Sequence, residues 1–291
     1  MFESFSLRRI ATAGAEINLR TAGSGPPLLL LHGYPQTHAM WHAVAPALAR
    51  DFTVVCPDLR GYGDSSKPES THGSAYTKRL MAQDMVEVMA ALGFDRFAVA
   101  GHDRGARVSY RLALDHPAVV TKLATLDVVP TYIQWQRLET RRAALGGYHW
   151  LFLAQPEPLP EKLIASDPIF YLHNCLARWA GPGFTFAPEA MAEYERCFSD
   201  PAVVHGSCEC YRAGATLDVD IDAADYGKRK ISCPMLAIWG EGRSPGGRDD
   251  VLDAWKEWAT DVRGLAVPCG HFIPEEAPET TIAALRSFFS E

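Results

Sequence analysis

The stretch that most constrains the fold is "FAVAGHDRGAR", Phe97 to Arg107. A short apolar run of strand character passes through Gly101-His102-Asp103-Arg104-Gly105 and opens onto "RVSYRLALDHP", which has helical periodicity. A strand that turns this sharply into a helix needs small residues on both sides, and the residue between them is held up for chemistry. That residue is usually a serine. Here it is Asp103, followed by Arg104 and, one helical turn on, Arg107. Asp is also a favoured helix N-cap, but capping alone gives no reason for the flanking Gly101 and Gly105.

The surrounding chain has the same texture. Strands are expected at Leu7–Ala13, Ile17–Ala22, Pro27–Gly33, Phe52–Leu59, Phe97–His102 and Leu123–Val129, and helices at Met40–Arg50, Thr77–Leu92 and Arg104–Asp115. Only Gly14-Ala15-Glu16 separates the first two strands, so they read as an antiparallel hairpin at a sheet edge. From Thr131 to about Gly227 the chain is rich in Trp, Tyr, Arg and Pro, with helical stretches and no convincing buried strand. Strand texture returns at Pro234–Gly240 and Gly264–His271, and an amphipathic helix runs from Ala277 to Ser290. The expected organisation is an α/β core, 1–130 plus 228–291, with a mostly parallel eight-stranded sheet and a helical cap, 131–227, inserted before the seventh strand. The pocket then lies between cap and core, near the carboxyl ends of the strands.

Bulk properties narrow the partners. The 291 residues, 47% hydrophobic and 22% charged, are enough for one large enzyme-like domain with an insertion. A formal charge of −7 argues against nucleic acid and anionic membranes, so an anionic substrate must be drawn in by local cations. "MFESFSLRRI" lacks the apolar stretch of a secretion signal, and no apolar run reaches membrane-spanning length. Seven cysteines without framework spacing fit a reducing cytoplasm. Cys208 and Cys210, with Cys197 and His205 nearby, lack the paired spacing of a zinc site and read as reduced thiols on a helix. No metal or organic cofactor is expected.

Three residues fall at strand ends in the order nucleophile, acid, histidine: Asp103, Asp127 in "TLDVVP" and His271 in "CGHF". The other common acid position, in a Trp-Gly-x-x-Asp pattern, reads Trp239-Gly240-Glu241-Gly242-Arg243, so Asp127 is the better partner for His271, with Glu241 in reserve. A seryl oxygen suits attack on an acyl carbonyl. A carboxylate suits displacement at a saturated carbon, because the resulting alkyl ester can itself be hydrolysed. Asp103 would expel a leaving group, and His271, held by Asp127, would activate water against the Asp103 carbonyl. The backbone N–H groups of Tyr34, after His32-Gly33, and of Arg104 would stabilise the oxyanion. "HGYP" is otherwise a tight turn, and "DLRGYGDS" (Asp58–Ser65) a scaffold loop.

Arg104 and Arg107 project from neighbouring positions at a helix N-terminus and, with its amides, form a receptor for a small carboxylate. Charge-assisted bonds of about 1.5–3 kcal/mol each would fix one end of a tiny substrate. The same cations favour an ionised Asp103. The plainer alternative is that they pair with acidic neighbours. Backside attack sends the leaving group toward the cap, where His149, Trp150 and Tyr211 each carry an N–H or O–H donor. Converging donors would suit a small, strongly hydrated anion such as fluoride. Trp and Tyr also simply fill cores, and Trp135, Tyr148 and Trp179 have no assigned role.

"HGYPQTH", "PDLRGYGDSSKP", "GHDRGARVSYRLALDHP", "LDVVPT", "YHWLFLAQP" and "CGHFIPEEAPE" together resemble the motifs of the fluoroacetate (haloacetate) dehalogenase family of α/β-hydrolases, almost end to end. The resemblance implies Asp103 as nucleophile, Asp127 and His271 as the water-activating pair, and Arg104 with Arg107 as carboxylate clamp. It also implies His149, Trp150 and Tyr211 as halide ligands, and a homodimer. "GHDRGAR" with "HW" is specific, whereas "HGxP" and "DLRGYGDS" are shared with epoxide hydrolases and haloalkane dehalogenases. Tyr34 stands where that family leads one to expect phenylalanine. The reaction implied is hydrolytic dehalogenation of a short 2-haloacid, fluoroacetate first, giving the 2-hydroxy acid and halide. Two alternatives are an epoxide hydrolase, whose neutral substrate gains little from paired guanidinium groups, and a non-catalytic ligand-binding relative, which has no need of a water-activating base.

Overall fold

A computed structural model describes residues 1–241 and 250–291. Eight strands form one sheet: β1 (Ser6–Ala11), β2 (Glu16–Ala22), β3 (Pro27–Leu31), β4 (Thr53–Pro57), β5 (Phe97–His102), β6 (Val120–Leu126), β7 (Met235–Gly240) and β8 (Val262–Val267). Their order is β1-β2-β4-β3-β5-β6-β7-β8. β2 runs antiparallel to both neighbours, and every other pairing from β4 to β8 is parallel. The edge hairpin and the mostly parallel eight-stranded sheet are as the sequence predicts. Leu28 to Leu31 on β3 are fully buried, as expected of a strand covered on both faces. The helix Arg104–Asp115 packs on β3, β5 and β6.

The boundaries that differ have local causes. The helix expected over Met40–Arg50 is two short pieces, a 3₁₀ turn His38–Trp41 and a helix Ala45–Leu48. Pro46 sits in the first turn of the second piece, and a proline there cannot continue a helix from upstream because it lacks the N–H. β6 stops at Leu126 rather than Val129, since Asp127 turns the backbone with φ 57°. β8 ends at Val267, one residue before Pro268, and not at His271. The helix Asp250–Trp258 has no counterpart in the sequence reading, because its few apolar positions are too short a pattern to stand out. Trp255 and Trp258 on it are fully buried, and Trp255 Nε1 donates to the carbonyl of Val128 at 3.0 Å.

Between β6 and β7 the chain forms helices from Thr131–Arg137 to Leu217–Asp225, and an isolated bridge joins Ile231 to Ala259. The helix Pro201–Ala215 is buried along most of its length. Buried polar contacts fasten these helices to the sheet side. Glu209 accepts from the Gly73 amide at 2.7 Å, and Lys78 pairs with Asp218 at 3.1 Å. No described helix is long and apolar enough to cross a membrane.

The turn after β5 depends on one close approach. A Cβ added at Gly105 would lie 2.4 Å from the His32 carbonyl oxygen and 2.5 Å from that of Leu31, both backbone atoms of the β3 end. Gly105→Ala is therefore expected to lift the helix off β3 and destabilise the fold by about 2 kcal/mol or more in urea titrations. Gly146→Ala, where nothing lies within 4 Å, is the control and should change stability little.

Candidate active site

The β5–helix turn holds Asp103 at φ 46°, ψ −113°, a backbone conformation costing about 1–3 kcal/mol for a residue with a side chain. Its side chain caps nothing. Instead Oδ1 accepts from the Tyr34 amide at 2.9 Å, and Oδ2 lies 4.0 Å from His271 Nε2. The Arg104 amide, the other expected donor, makes no bond to this carboxylate among the described residues. The Asp103 N–H donates to the Leu126 carbonyl, anchoring the turn to the end of β6. Burial alone would raise the carboxyl's pKa, but His271, Arg104, His102 and Arg107 outweigh it and hold it well below the usual carboxylate range. Asp103 is thus ionised and strained into view.

His271 follows β8, and its Nδ1 lies 2.6 Å from Asp127 Oδ2. Asp127 Oδ1 accepts from the Gly240 amide at 3.1 Å, so β6, β7 and β8 together fix the pair. With Nδ1–H committed to Asp127, Nε2 is the basic nitrogen facing Asp103. The reserve acid, Glu241, is exposed at the end of β7. Gly242 and Arg243 lie outside the described residues.

The two arginines differ. Arg107 Nη1 donates to the Val129 carbonyl at 3.0 Å and to Thr131 Oγ1 at 3.2 Å, so part of this guanidinium is spent on the chain after β6. Arg104 is fully buried, and Nε, Nη1 and Nη2 have no carboxylate or carbonyl acceptor among the described residues, the Tyr211 side chain lying against them instead. Its Cζ sits 3.3 Å from the centroid of the Tyr211 ring and 4.2 Å from that of Trp150. Arg107 Cζ lies 4.5 Å from Trp150, so the indole touches both cations. Burial and the neighbouring Arg104 charge both press Arg107 below its ordinary pKa. Neither arginine forms a salt bridge with an acidic side chain among the described residues, and Asp103 is the acid whose charge acts on both. Space for Arg104 comes from Gly214, where a Cβ would stand 3.2 Å from Nη1.

His149, Trp150 and Tyr211 come together from the helices Tyr148–Leu153 and Pro201–Ala215. Ring centroids are 5.8 Å apart for His149–Tyr211 and 5.6 Å for Trp150–Tyr211. Trp179, with no role assigned from sequence, packs on His149 at 4.5 Å and His271 at 5.8 Å. Trp135 Nε1 donates to the Gly214 carbonyl at 2.7 Å, and Tyr148 lies under Arg178 with its ring 6.2 Å from that of His149. Tyr34 is fully buried and packs edge-on against Tyr211 at 5.3 Å. Burial raises the Tyr211 phenol well above its ordinary pKa, an effect the Arg104 charge only partly offsets.

The remaining sequence motifs are scaffold. His32 Nε2 accepts from the Leu59 amide at 3.0 Å, and Asp58 binds His38, Asn18 and the Asp64 amide. Cys208 and Cys210 are buried free thiols on the helix Pro201–Ala215. Two groups around the catalytic loop escaped the sequence reading. His102 Nε2 donates to the His271 carbonyl at 2.8 Å, and burial, aided by repulsion from His271, lowers its pKa to about 3. Glu276 binds three backbone amides beside His271. A histidine inside the GHDRG turn and a glutamate five residues past His271 were the available signals.

The chain belongs to the α/β hydrolase fold family, whose pattern matches residues 26–278. Its general chemistry is accordingly that of a hydrolase. It is 44% identical to a fluoroacetate dehalogenase from Burkholderia sp, over 100% of this chain and 96% of that one. It is 38% identical to a soluble epoxide hydrolase from Corynebacterium sp. (strain C12), over 95% and 94%. A crystal structure of ALR0039 from Nostoc sp PCC 7120, assigned to the α/β hydrolases, matches with a TM-score of 0.95 at 54% identity over the full length of both chains.

Glu275, next to the His271 loop, is buried and binds Gln36 Nε2 and, at 3.0 Å, the Tyr194 hydroxyl. Burial pushes its carboxyl up to about 8 despite those two donors. The folded chain therefore keeps a proton that the unfolded chain has already lost, and stability falls as pH climbs from the ordinary glutamate range to about 8. Glu275→Gln should flatten that decline in denaturant titrations run across the interval. An unchanged slope would place the decline elsewhere.

Proposed function

We propose that the protein hydrolyses short 2-haloacids, fluoroacetate foremost, by displacement at the α-carbon followed by hydrolysis of an aspartyl ester. The observation that supports this best is the Arg104 guanidinium, buried beside the ionised Asp103 with no carboxylate or carbonyl on its nitrogens among the described residues. A buried cation in that state favours an anionic headgroup, because charge-assisted bonds to a carboxylate would offset its desolvation. Arg107 would take part with whatever Val129 and Thr131 leave of its donors.

With the carboxylate on Arg104, the adjacent carbon becomes the reacting atom. Asp103 Oδ2 forms a bond to it while the carbon–halogen bond breaks, and the halide leaves with the electron pair. His149, Trp150 and Tyr211 would then hydrogen-bond the departing ion. A tyrosine whose pKa is raised by burial donates a hydrogen bond while keeping its proton. That suits a halide, which needs no proton, better than an epoxide oxygen, which must gain one.

In the second stage a water between His271 Nε2 and Asp103 gives its proton to Nε2 and attacks the Asp103 carbonyl carbon. The 4.0 Å separation of Nε2 from Oδ2 is one a single water can bridge. The Tyr34 amide already on Oδ1 would stabilise the oxyanion, joined by the Arg104 amide once the ester forms. On collapse the protonated His271 returns its proton to the departing alkoxide oxygen, which releases the 2-hydroxy acid with its new oxygen from Asp103 and restores the carboxylate. The reading needs no metal or organic cofactor, places the pocket between the core (1–130, 228–291) and the cap (131–227), and includes a cytoplasmic homodimer.

Fluoride release from fluoroacetate, followed with an ion-selective electrode, tests this directly. Arg104→Leu removes two charge-assisted bonds, about 3 kcal/mol or more, and should lower kcat/KM roughly a hundredfold or further. An uncharged epoxide should not turn over. Rapid epoxide opening without fluoride release would replace the haloacid reading with the epoxide one.

A further inference from the structure

We propose that Glu276 is a positioning residue for the ester-hydrolysis half of this reaction, tying the catalytic histidine to the helical insertion. The inference rests on the two-stage chemistry above. Glu276 Oε2 accepts from the amides of Gly270 at 2.7 Å and Gly181 at 2.8 Å, and Oε1 accepts from the Phe272 amide at 2.8 Å. Gly270 and Phe272 bracket His271. Gly181 belongs to the chain just after the helix Pro168–Trp179, between β6 and β7. One carboxylate thus holds both sides of the histidine and the insertion at once.

The rest of the loop is held to match. The His271 amide donates to the Trp179 carbonyl at 2.8 Å, two residues before Gly181. The His271 carbonyl accepts from His102, the last residue of the strand that leads to the nucleophile. The contact with the insertion is too close for side chains, since a Cβ on Gly270 would lie 2.2 Å from the Gly181 nitrogen. The distance of His271 to Asp103 therefore depends on the seating of the Trp179–Gly181 segment as well as on Asp127 and His102, and Glu276 is the anchor that the loop and the segment share. Its amide partners are neither Asp103, Arg104 nor the halide donors, and the one link to these is the packing of Trp179 on His149, so the alkylation stage should need it far less.

This separation gives the test. Glu276→Gln keeps the size of the side chain but leaves one acceptor oxygen, so that at least one of the three amides, Phe272's if the oxygen takes the Oε2 place, then faces an NH₂ group. With fluoroacetate its steady-state kcat should fall roughly ten- to a hundredfold, the range expected of small misplacements of a catalytic group. The single-turnover rate of the first fluoride release should stay that of the parent enzyme. Intact-protein mass during turnover should show the carboxymethyl ester on Asp103 accumulating, as it must in His271→Asn. Glu276→Asp, which keeps the charge, is the second variant if the glutamine form melts too low, and it should show the same ester at a smaller fraction. The inference is overturned if both rates fall together, or if neither changes and no ester builds up. Absence of the ester in His271→Asn itself would instead overturn the two-stage reaction on which this rests.

Discussion

A buried guanidinium with no carboxylate or carbonyl on its nitrogens is costly, and Arg104 has the Tyr211 side chain against it in their place among the described residues. Two things offset part of the cost. The faces of Tyr211 and Trp150 cover the cation, and the negative charge of Asp103 lies next to it. The second offset works in both directions, since Arg104, after His271, is among the charges that hold Asp103 ionised in a site where burial would otherwise protonate it. Asp103 and Arg104 are therefore one electrostatic unit. Adding a second cation, Arg107, against the same indole raises the local positive charge further in a protein whose net charge is −7. Local cations here act against the global field, which is how an acidic protein can take an anionic substrate.

The fold supplies the geometry for this unit through backbone contacts more than side-chain ones. Asp103 is held at positive φ because its amide binds β6 and because Gly105 lets the following helix sit on the β3 carbonyls. The amide facing its carboxylate comes from the turn after β3, and the acid that orients His271 from the end of β6. Every one of these groups lies at the carboxyl end of a central strand, where parallel sheets gather loops from distant parts of the chain. The helical insertion closes the site with aromatic rings, and its carbonyl and amide groups also fix the His271 loop. The base and the lid of the site are in this sense mechanically joined.

Much of this is legible in the sequence, and the parts that are not have a common cause. β5 and the helix Arg104–Asp115 match their expected limits because glycines and periodicity mark both ends. Asp127 is marked by its place at the end of the sixth strand, while Trp239-Gly240-Glu241 leaves Glu241 as a second candidate that sequence alone does not dismiss. What spacing cannot give is which cation is committed elsewhere. Arg104 and Arg107 look equivalent on a helix face, yet only the latter reaches Val129 and Thr131, contacts made by residues far along the chain. Glu275 and Glu276 are adjacent in one acidic run, and nothing local says that one is buried against Tyr194 while the other collects amides. Long-range contacts of this kind are set by tertiary packing, to which a residue's sequence neighbours are blind.

The central claim is that Asp103 becomes covalently bound to substrate and is regenerated by attack of water on its own carboxyl carbon. A single turnover of fluoroacetate by excess enzyme in ¹⁸O-labelled water measures this most directly. The account predicts glycolate carrying unlabelled oxygen in its new hydroxyl and heavy oxygen recovered in the peptide containing Asp103. Label in the first-turnover glycolate hydroxyl, with none in Asp103, would mean that water attacks the substrate carbon directly and would contradict it.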